Sequence, residues 1–217
     1  QPKYDLSKNC ITGMEGLVRW RNAGELISPD DFVPLAEETG MIIQLDHMML
    51  EKGCCDLGGF FKSNDIPLIL SLNCSAKALH NKNLPENIIN VIKTFNLTPA
   101  NIQIEITETE IMKNYTLCLS VMKELSSYGI TIALDDFGTG YSSLAQLTSL
   151  PINTLKIDRE FINKLHENET NKNIVETIIS MAGKLGLEVV AEGVETQSQF
   201  DFLESIGCNL IQGYLIS

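Results

Sequence analysis

Cations are scarce in this chain. Its 16 Lys and Arg residues face 28 Asp and Glu, for a formal charge of −12 over 217 residues. That balance excludes a general affinity for nucleic-acid polymers, since binding to the phosphate backbone needs a net basic surface. An acidic protein can still take a small phosphate ligand, provided metal ions and a few local cations invert the field in the pocket. Histidine is scarcer still. The three in the chain, His47, His80 and His166, fall in segments that read as helical or surface, which disfavours zinc chemistry built on His and Cys. The six cysteines (Cys10, Cys54, Cys55, Cys74, Cys118 and Cys208) form no CxxC pair and no metal-ligand rhythm. They read as buried free thiols in a reducing compartment. No apolar run approaches the roughly 18 to 20 residues that would span a bilayer, and no signal peptide opens the chain. The expectation is a cytoplasmic segment that makes no membrane contact. Low-complexity linkers and short solenoid repeats are missing as well. What remains is ordinary globular composition, 44% apolar and 20% charged, long enough to bury a substantial core.

The segment Thr131-Ile132-Ala133-Leu134-Asp135-Asp136-Phe137-Gly138-Thr139-Gly140 organises the rest. A strand-like run leads straight into two adjacent carboxylates and then into a glycine-bearing turn. Acids removed from water must meet opposite charge or metal, so something cationic is expected there.

In chain order, Gln1 to Leu6 and Ile11 to Trp20 read as strands joined by the polar turn Ser7-Lys8-Asn9. So short a link permits only an antiparallel pair. Ser28-Pro29-Asp30-Asp31 starts a helix that closes at Thr39-Gly40, with Phe32, Leu35 and Ala36 as its apolar stripe. A second helix runs from about Gln44 to Phe61 with Leu45, Met48, Met49 and Cys55 facing inward. Strands then alternate with helices. The strands are Pro67 to Asn73, Asn101 to Thr107, Ile130 to Asp135, Thr154 to Asp158, Leu187 to Glu192 and Leu210 to Ile216. The helices are Pro85 to Phe95, Tyr115 to Tyr128, a short one near Ser142 to Thr148, Asn171 to Leu185, and one opened by the capping box Thr196 to Gln199 and reaching Ile206. Alternation of this kind implies an α/β protein with a mainly parallel sheet covered by helices, and eight strands are enough to close a TIM-type (β/α)8 barrel. The opening hairpin makes one strand run against the others. An open doubly wound sheet is the competing topology, but no Gly-rich phosphate loop follows the early strands.

Side chains alternate faces along a strand, so parity sorts residues between barrel interior and helix layer. Leu68, Leu70 and Leu72 oppose Ile69, Ser71 and Asn73; Ile102, Ile104 and Ile106 oppose Gln103, Glu105 and Thr107; Leu155 and Ile157 oppose Lys156 and Asp158. Glu15, Leu17 and Arg19 share a side opposite Gly16, Val18 and Trp20, while Thr131, Ala133 and Asp135 go together and Glu192 ends its strand. Polar groups thus gather at the carboxyl ends of the strands, where barrels of this kind place their active sites. Any one such acid is readily explained as a cap or solvated loop residue, and Glu108 and Glu195 also suit helix N-termini. The set is harder to explain away. Glu, Asn and Asp oxygens favour Mg²⁺ or Mn²⁺, and the pair Asp135-Asp136 suits a bridge between two ions.

These residues also sit in recognisable strings. Glu15-Gly16-Leu17-Val18-Arg19-Trp20, Leu72-Asn73-Cys74-Ser75, Glu105-Ile106-Thr107-Glu108, Leu134 to Leu144, Leu155-Lys156-Ile157-Asp158, Ala191-Glu192-Gly193-Val194-Glu195 and Gln212-Gly213-Tyr214 resemble, in order, the successive motifs of the EAL-domain family. Members are bacterial phosphodiesterases that linearise cyclic di-GMP to pGpG on a barrel whose first strand is antiparallel. The resemblance implies that Glu15, Asn73, Glu105 and Asp135 hold one metal ion, with Asp136 and Glu192 completing a second. It divides activation of the attacking water between Lys156 and Glu192. It gives Arg19, Leu17, Asp158 and Gln212 to the substrate. It makes Glu108 and Glu195 loop anchors, Glu108 for the segment Asp136 to Ser142, which the family ties to activity and dimerisation. It further implies a homodimer and a single domain over residues 1–217, slightly truncated at both ends and excised from a larger signalling protein, any membrane anchor of which would lie outside this segment. A non-catalytic cyclic di-GMP receptor is the alternative, and an unrelated metal-dependent barrel hydrolase a more distant one. One departure stands out: Gly16 occupies the position where alanine is usual.

Overall fold

The computed structural model describes residues 1–61, 68–138, 144–166 and 169–217. Strand β1 (Pro2–Asp5) turns back into β2 (Cys10–Gly16), and a separate hairpin follows, β3 (Trp20–Asn22) with β4 (Glu25–Ile27). Helices α1 (Pro29–Thr39) and α2 (Ile42–Phe61) lead to β5 (Ile69–Asn73), then α3 (Ala76–Leu79) and α4 (Leu84–Thr94). Next come β6 (Ile102–Thr107), α5 (Glu108–Lys113), α6 (Tyr115–Ser127), β7 (Thr131–Phe137), α7 (Leu144–Leu147), β8 (Thr154–Ile157) and α8 (Arg159–Asn163). The chain finishes with α9 (Glu169–Lys184), β9 (Glu188–Glu192), α10 (Gln197–Ser205) and β10 (Leu210–Gln212).

Eight of these strands close a barrel in the order β1-β10-β9-β8-β7-β6-β5-β2. β1 pairs antiparallel with both neighbours, and the pairs from β2 round to β10 are parallel. The barrel expected from the strand count is therefore present, and its one reversed strand is the first.

Two shells hold it together. Ile102, Ile104 and Ile106 of β6, with Ile132 and Leu134 of β7 and Leu155 and Ile157 of β8, point outward and are buried under helices. Those helices answer with apolar residues at helical spacing. α6 buries Cys118, Val121, Met122 and Leu125, and α9 buries Val175, Ile178, Ile179 and Ala182, the i, i+3, i+4, i+7 stripe of a one-sided helix. Each buried Val, Leu or Ile contributes about 1.5–3 kcal/mol relative to exposure. α10 starts as its sequence specifies, Thr196 and Gln199 satisfying each other's backbone N–H groups.

Several expectations need correction. The second strand stops at Gly16, where its parallel partner β5 also runs out of register at Leu72, so Trp20 belongs to the added hairpin. Ala23 and Gly24, at φ +49° and +95°, form its two-residue turn, and without Asn-Gly or Asp-Gly the sequence carries only a weak signal for such a turn. On α1 Phe32 is buried, but Leu35 is 60% exposed. α2 turns Ile42, Leu50, Cys54 and Leu57 inward and leaves Met48 and Cys55 exposed; with apolar residues around most of that helix, its sequence marks the inward face poorly. The thiols are all free, yet Cys10 is exposed along with Cys55. The last strand is three residues, Leu210–Gln212. Short helices α3, α5 and α8 follow directly on strand ends, too brief for periodicity to reveal. Pro67 and Ser142, used above as element ends, lie outside the described residues, as do 139–142 of the segment assigned to Glu108.

Candidate active site

The inward face of each barrel strand carries at least one polar side chain among smaller or apolar ones, and the carboxyl ends gather those polar groups at one mouth. β2 contributes Glu15, β6 Glu105, β7 Asp135, β8 Lys156, β9 Glu192 and β10 Gln212, all in or at the mouth of the barrel. Lys156 Nζ stands at their centre, 2.5 Å from Glu105 Oε2, 2.8 Å from Glu192 Oε1, 3.0 Å from Asp135 Oδ2 and 3.6 Å from Glu15 Oε2. Its side chain is 1% exposed. Asn73 Nδ2 donates to Glu15 Oε1 at 2.9 Å, and Gln212 Nε2 donates to Glu15 Oε2 at 2.6 Å.

β7 departs from simple alternation at the critical place. Its pairing with β8 runs Ala133 to Thr154 and Leu134 to Leu155, then resumes at Phe137 with Ile157. Asp135 and Asp136 together face one residue, Lys156. This is a β-bulge, and Asp136 takes φ +53° within it, a conformation Asp tolerates better than most residues. Parity alone sends Asp136 away from the interior; the bulge brings it to the wall of the same cleft as Asp135. Gly138 follows at φ +99°.

Charge is not balanced at this mouth. Burial pushes the Glu192 carboxyl up to about 7 against the pull of Lys156, with Asp135 and Glu15 adding to the rise. Burial likewise raises Asp136 to about 6, reinforced by Asp135 and Asp158, and it raises Asp135 despite Lys156. Glu105 goes the other way: burial opposes its ionisation, but Lys156 and Lys3 hold it at about 2. Lys156 is penalised by burial, and Glu105, Glu192, Asp135 and Glu15 more than reverse that, keeping it an ammonium.

The mouth opens into a cleft of about 990 Å³ whose walls include Leu17, Arg19, Asp158, Arg159, Glu195 and Tyr214. Arg19 and Leu17 reach it from the loop beyond β2, so parity continued past the strand end nevertheless places them on the correct side. Asp158 also caps α8, accepting from Glu160 N at 2.7 Å. Glu195 is exposed just before the α10 cap. Glu108 is buried in the first turn of α5. Asn73 sits at the boundary, opening to a smaller crevice of about 270 Å³ against α1 and α2.

The donor set fits a hard divalent cation. It is all oxygen, it carries more acid than the lysines neutralise, and Gln212 Oε1 is a buried acceptor with no hydrogen-bond partner among the described residues. With Lys156 where it is, no three acid, His or Cys side chains among the described residues stand in metal-holding geometry. The ammonium occupies the point on which they converge, as a cation would.

Sequence reasoning missed Lys3. This lysine is 3% exposed inside the barrel, and its Nζ donates to Ser71 Oγ at 2.6 Å, Gln103 Oε1 at 3.2 Å and Glu105 Oε1 at 2.6 Å. The available signal was the alternation of Lys3 and Asp5 against Pro2 and Tyr4.

Comparison with known proteins fits this geometry. Two curated relatives from Pseudomonas aeruginosa match the whole chain: the bifunctional diguanylate cyclase/cyclic di-GMP phosphodiesterase MucR at 37% identity and the cyclic di-GMP phosphodiesterase NbdA at 39%. The chain spans 32% and 28% of their lengths. The solved MucR phosphodiesterase in complex with c-di-GMP superposes with a TM-score of 0.95 at 37% identity, over 100% of this chain and 88% of that one. A manganese/cy-diGMP complex of Klebsiella pneumoniae BlrP1 gives 0.86 at 28% identity, over 99% of this chain and 53% of that one. The EAL domain model matches residues 1–217, and with the closed barrel and the acid-lined mouth already in place, the chain belongs to the EAL domain family.

Proposed function

We propose that this chain is a divalent-metal-dependent phosphodiesterase that hydrolyses cyclic di-GMP to linear pGpG, and that it works as the catalytic module of a longer bacterial signalling protein. The observation that carries this reading is the convergence of Glu15, Glu105, Asp135 and Glu192 on one buried cation at the mouth of the cleft. Relatives named for this activity, and a neighbour solved with this ligand, support the choice of substrate. Glu15, Asn73, Glu105, Asp135, Asp136 and Glu192 are the residues that would hold the cofactor, two Mg²⁺ or Mn²⁺ ions. Such ions supply Lewis acidity toward phosphate oxygens and acidify an attacking water.

The protein's own groups do the rest. Arg19, at the rim of the cleft, meets a substrate phosphate, and Leu17, Asp158 and Gln212 orient the nucleotide. Lys156 and Glu192, 2.8 Å apart, handle the water between them: the Lys156 ammonium orients it, the Glu192 carboxylate takes its proton as the water oxygen bonds to phosphorus, the P–O3′ bond breaks, and the departing O3′ takes up a proton from solvent. Glu108 and Glu195 brace the loops around the mouth. Homodimerisation is carried by the family resemblance, and a cytoplasmic setting by the free thiols and the sequence reading above.

Incubating the purified chain with cyclic di-GMP and Mn²⁺, followed by chromatography, is the test. Wild type is expected to yield the linear dinucleotide and Asp135→Asn to lose turnover by at least ~10³-fold, since one buried charge at the reacting centre is worth several kcal/mol. Ligand binding without any linear product over hours would instead make the domain a receptor.

A further inference from the structure

Lys3 enters the barrel on the reversed strand β1, from below the acid cluster. Its ammonium has three donors, and each finds one acceptor: Ser71 Oγ, Gln103 Oε1 and Glu105 Oε1. Gln103 and Ser71 are themselves tied, with Ser71 Oγ donating to Gln103 Oε1 at 2.9 Å and Gln103 Nε2 to Thr154 Oγ1 at 2.9 Å. Glu105 therefore lies between two ammonium groups, Lys3 on Oε1 and Lys156 on Oε2. The two lysines differ in one respect. Lys156 contacts four carboxylates and Lys3 contacts one. A cation arriving among the four acids competes with Lys156 for the same oxygens, whereas the bond from Lys3 lies on the far oxygen of Glu105 and is not contested.

We propose that Lys3 is a positioning residue: it is the permanent counter-charge that fixes Glu105 with one oxygen held down and the other presented to the metal site. The proposal rests on the reading that Glu105 is a metal ligand. Without Lys3 the lower oxygen of a buried carboxylate loses its charged donor, and the side chain either rotates to recover a partner or keeps a proton. Groups that orient a ligand from behind typically govern metal affinity by about 10–100-fold. Charge alone argues the reverse, because deleting a neighbouring ammonium favours a divalent cation, so the sign of the effect is diagnostic.

The experiment is calorimetric titration of metal-stripped protein with Mn²⁺, comparing wild type, Lys3→Met, Lys3→Gln, Thr154→Val and Glu105→Gln. Lys3→Met and Lys3→Gln are expected to weaken Mn²⁺ binding about 10–100-fold. Thr154→Val loosens the same polar floor without touching the ammonium; it lowers the melting temperature and leaves the affinity within about twofold of wild type. Unchanged or tighter Mn²⁺ binding in the Lys3 variants overturns the proposal, as does an equal loss in Thr154→Val. Should Lys3→Met not fold, Lys3→Gln decides alone, since it keeps a polar side chain and removes only the charge. If wild type and Glu105→Gln bind Mn²⁺ equally, the metal reading itself has failed, and that result is distinct from a failure confined to Lys3.

Discussion

The two levels of the barrel interior treat charge in opposite ways. At the lower level Lys3, Ser71, Gln103 and Thr154 form a closed set in which the ammonium has every donor used. At the upper level Lys156 is shared among Glu15, Glu105, Asp135 and Glu192 and satisfies none of them fully. A buried polar network that is complete adds rigidity, and one that is incomplete in the protein alone is built for something that arrives later. Glu105 belongs to both levels. It is the acid driven down to about 2, by two lysines against the penalty of burial, while Glu192 is driven up to about 7.

The largest test of this contrast is Lys156→Met. Removing the ammonium leaves the buried acids without their central cation, which costs metal-free protein about 3–5 kcal/mol. For a domain of this size that lowers the melting temperature by roughly 10 °C. Saturating Mn²⁺ restores stability through linkage, and Mn²⁺ affinity rises because the competing ammonium is gone. Calorimetric melting with and without Mn²⁺ reads both effects. A variant whose Mn²⁺ affinity moves in the same direction as that of Lys3→Met would erase the distinction between the two levels.

A smaller effect is expected at the opposite end of the barrel, where charge serves stability alone. Burial would raise the Asp5 carboxyl, but hydrogen bonds from Lys8 and Ser7 outweigh it and bring it down to about 2. A folded-state value below the unfolded one contributes stability above pH ~4, and that contribution is lost as pH falls from about 4 through about 2. Discounted for the exposed Lys8 partner, Asp5→Asn is expected to cost about 1 kcal/mol at pH 7. Near pH 2 it should cost almost nothing. Thermal melts across that window check it, with Mn²⁺ affinity unchanged throughout; a shifted Mn²⁺ affinity would mean that the two ends of the barrel are coupled.

The smallest effect concerns Gly16. A Cβ built there lies 2.7 Å from Leu72 Cδ2, the end of a flexible side chain in the outer shell. Gly16→Ala requires Leu72 to rotate, and that packing cost is offset by the lower chain entropy of alanine in a strand, so stability is expected to shift by only about 1 kcal/mol. Turnover should stay within twofold of wild type, measured by the same chromatographic assay. A larger loss would show that the outer shell of β2 reaches the chemistry of Glu15 on its other face.

Much of this was legible in the linear chain because period and parity are local. Alternation of strand and helix signalled the barrel. Parity along β6 and β8 sent Glu105 and Lys156 inward, and the string Asp135-Asp136 marked the point where cationic charge had to appear. The helix stripes of α6 and α9 and the cap of α10 follow from the same short-range rules. Other features could not be read this way. The inward face of α2 was misplaced because apolar residues run around most of that helix, and the β3–β4 hairpin was hidden by a turn that lacks its usual residues.

What the sequence by itself determined is which residues line the barrel and at which end they gather, since a side chain's face depends only on its position along a strand. Tertiary structure alone decided which of them meet. A slip in pairing between β7 and β8 put Asp136 beside Asp135, and the return of β1 against its neighbours carried Lys3 beneath Glu105, across about a hundred residues of chain. Both depend on register between strands far apart in sequence, and register is settled only when the barrel closes.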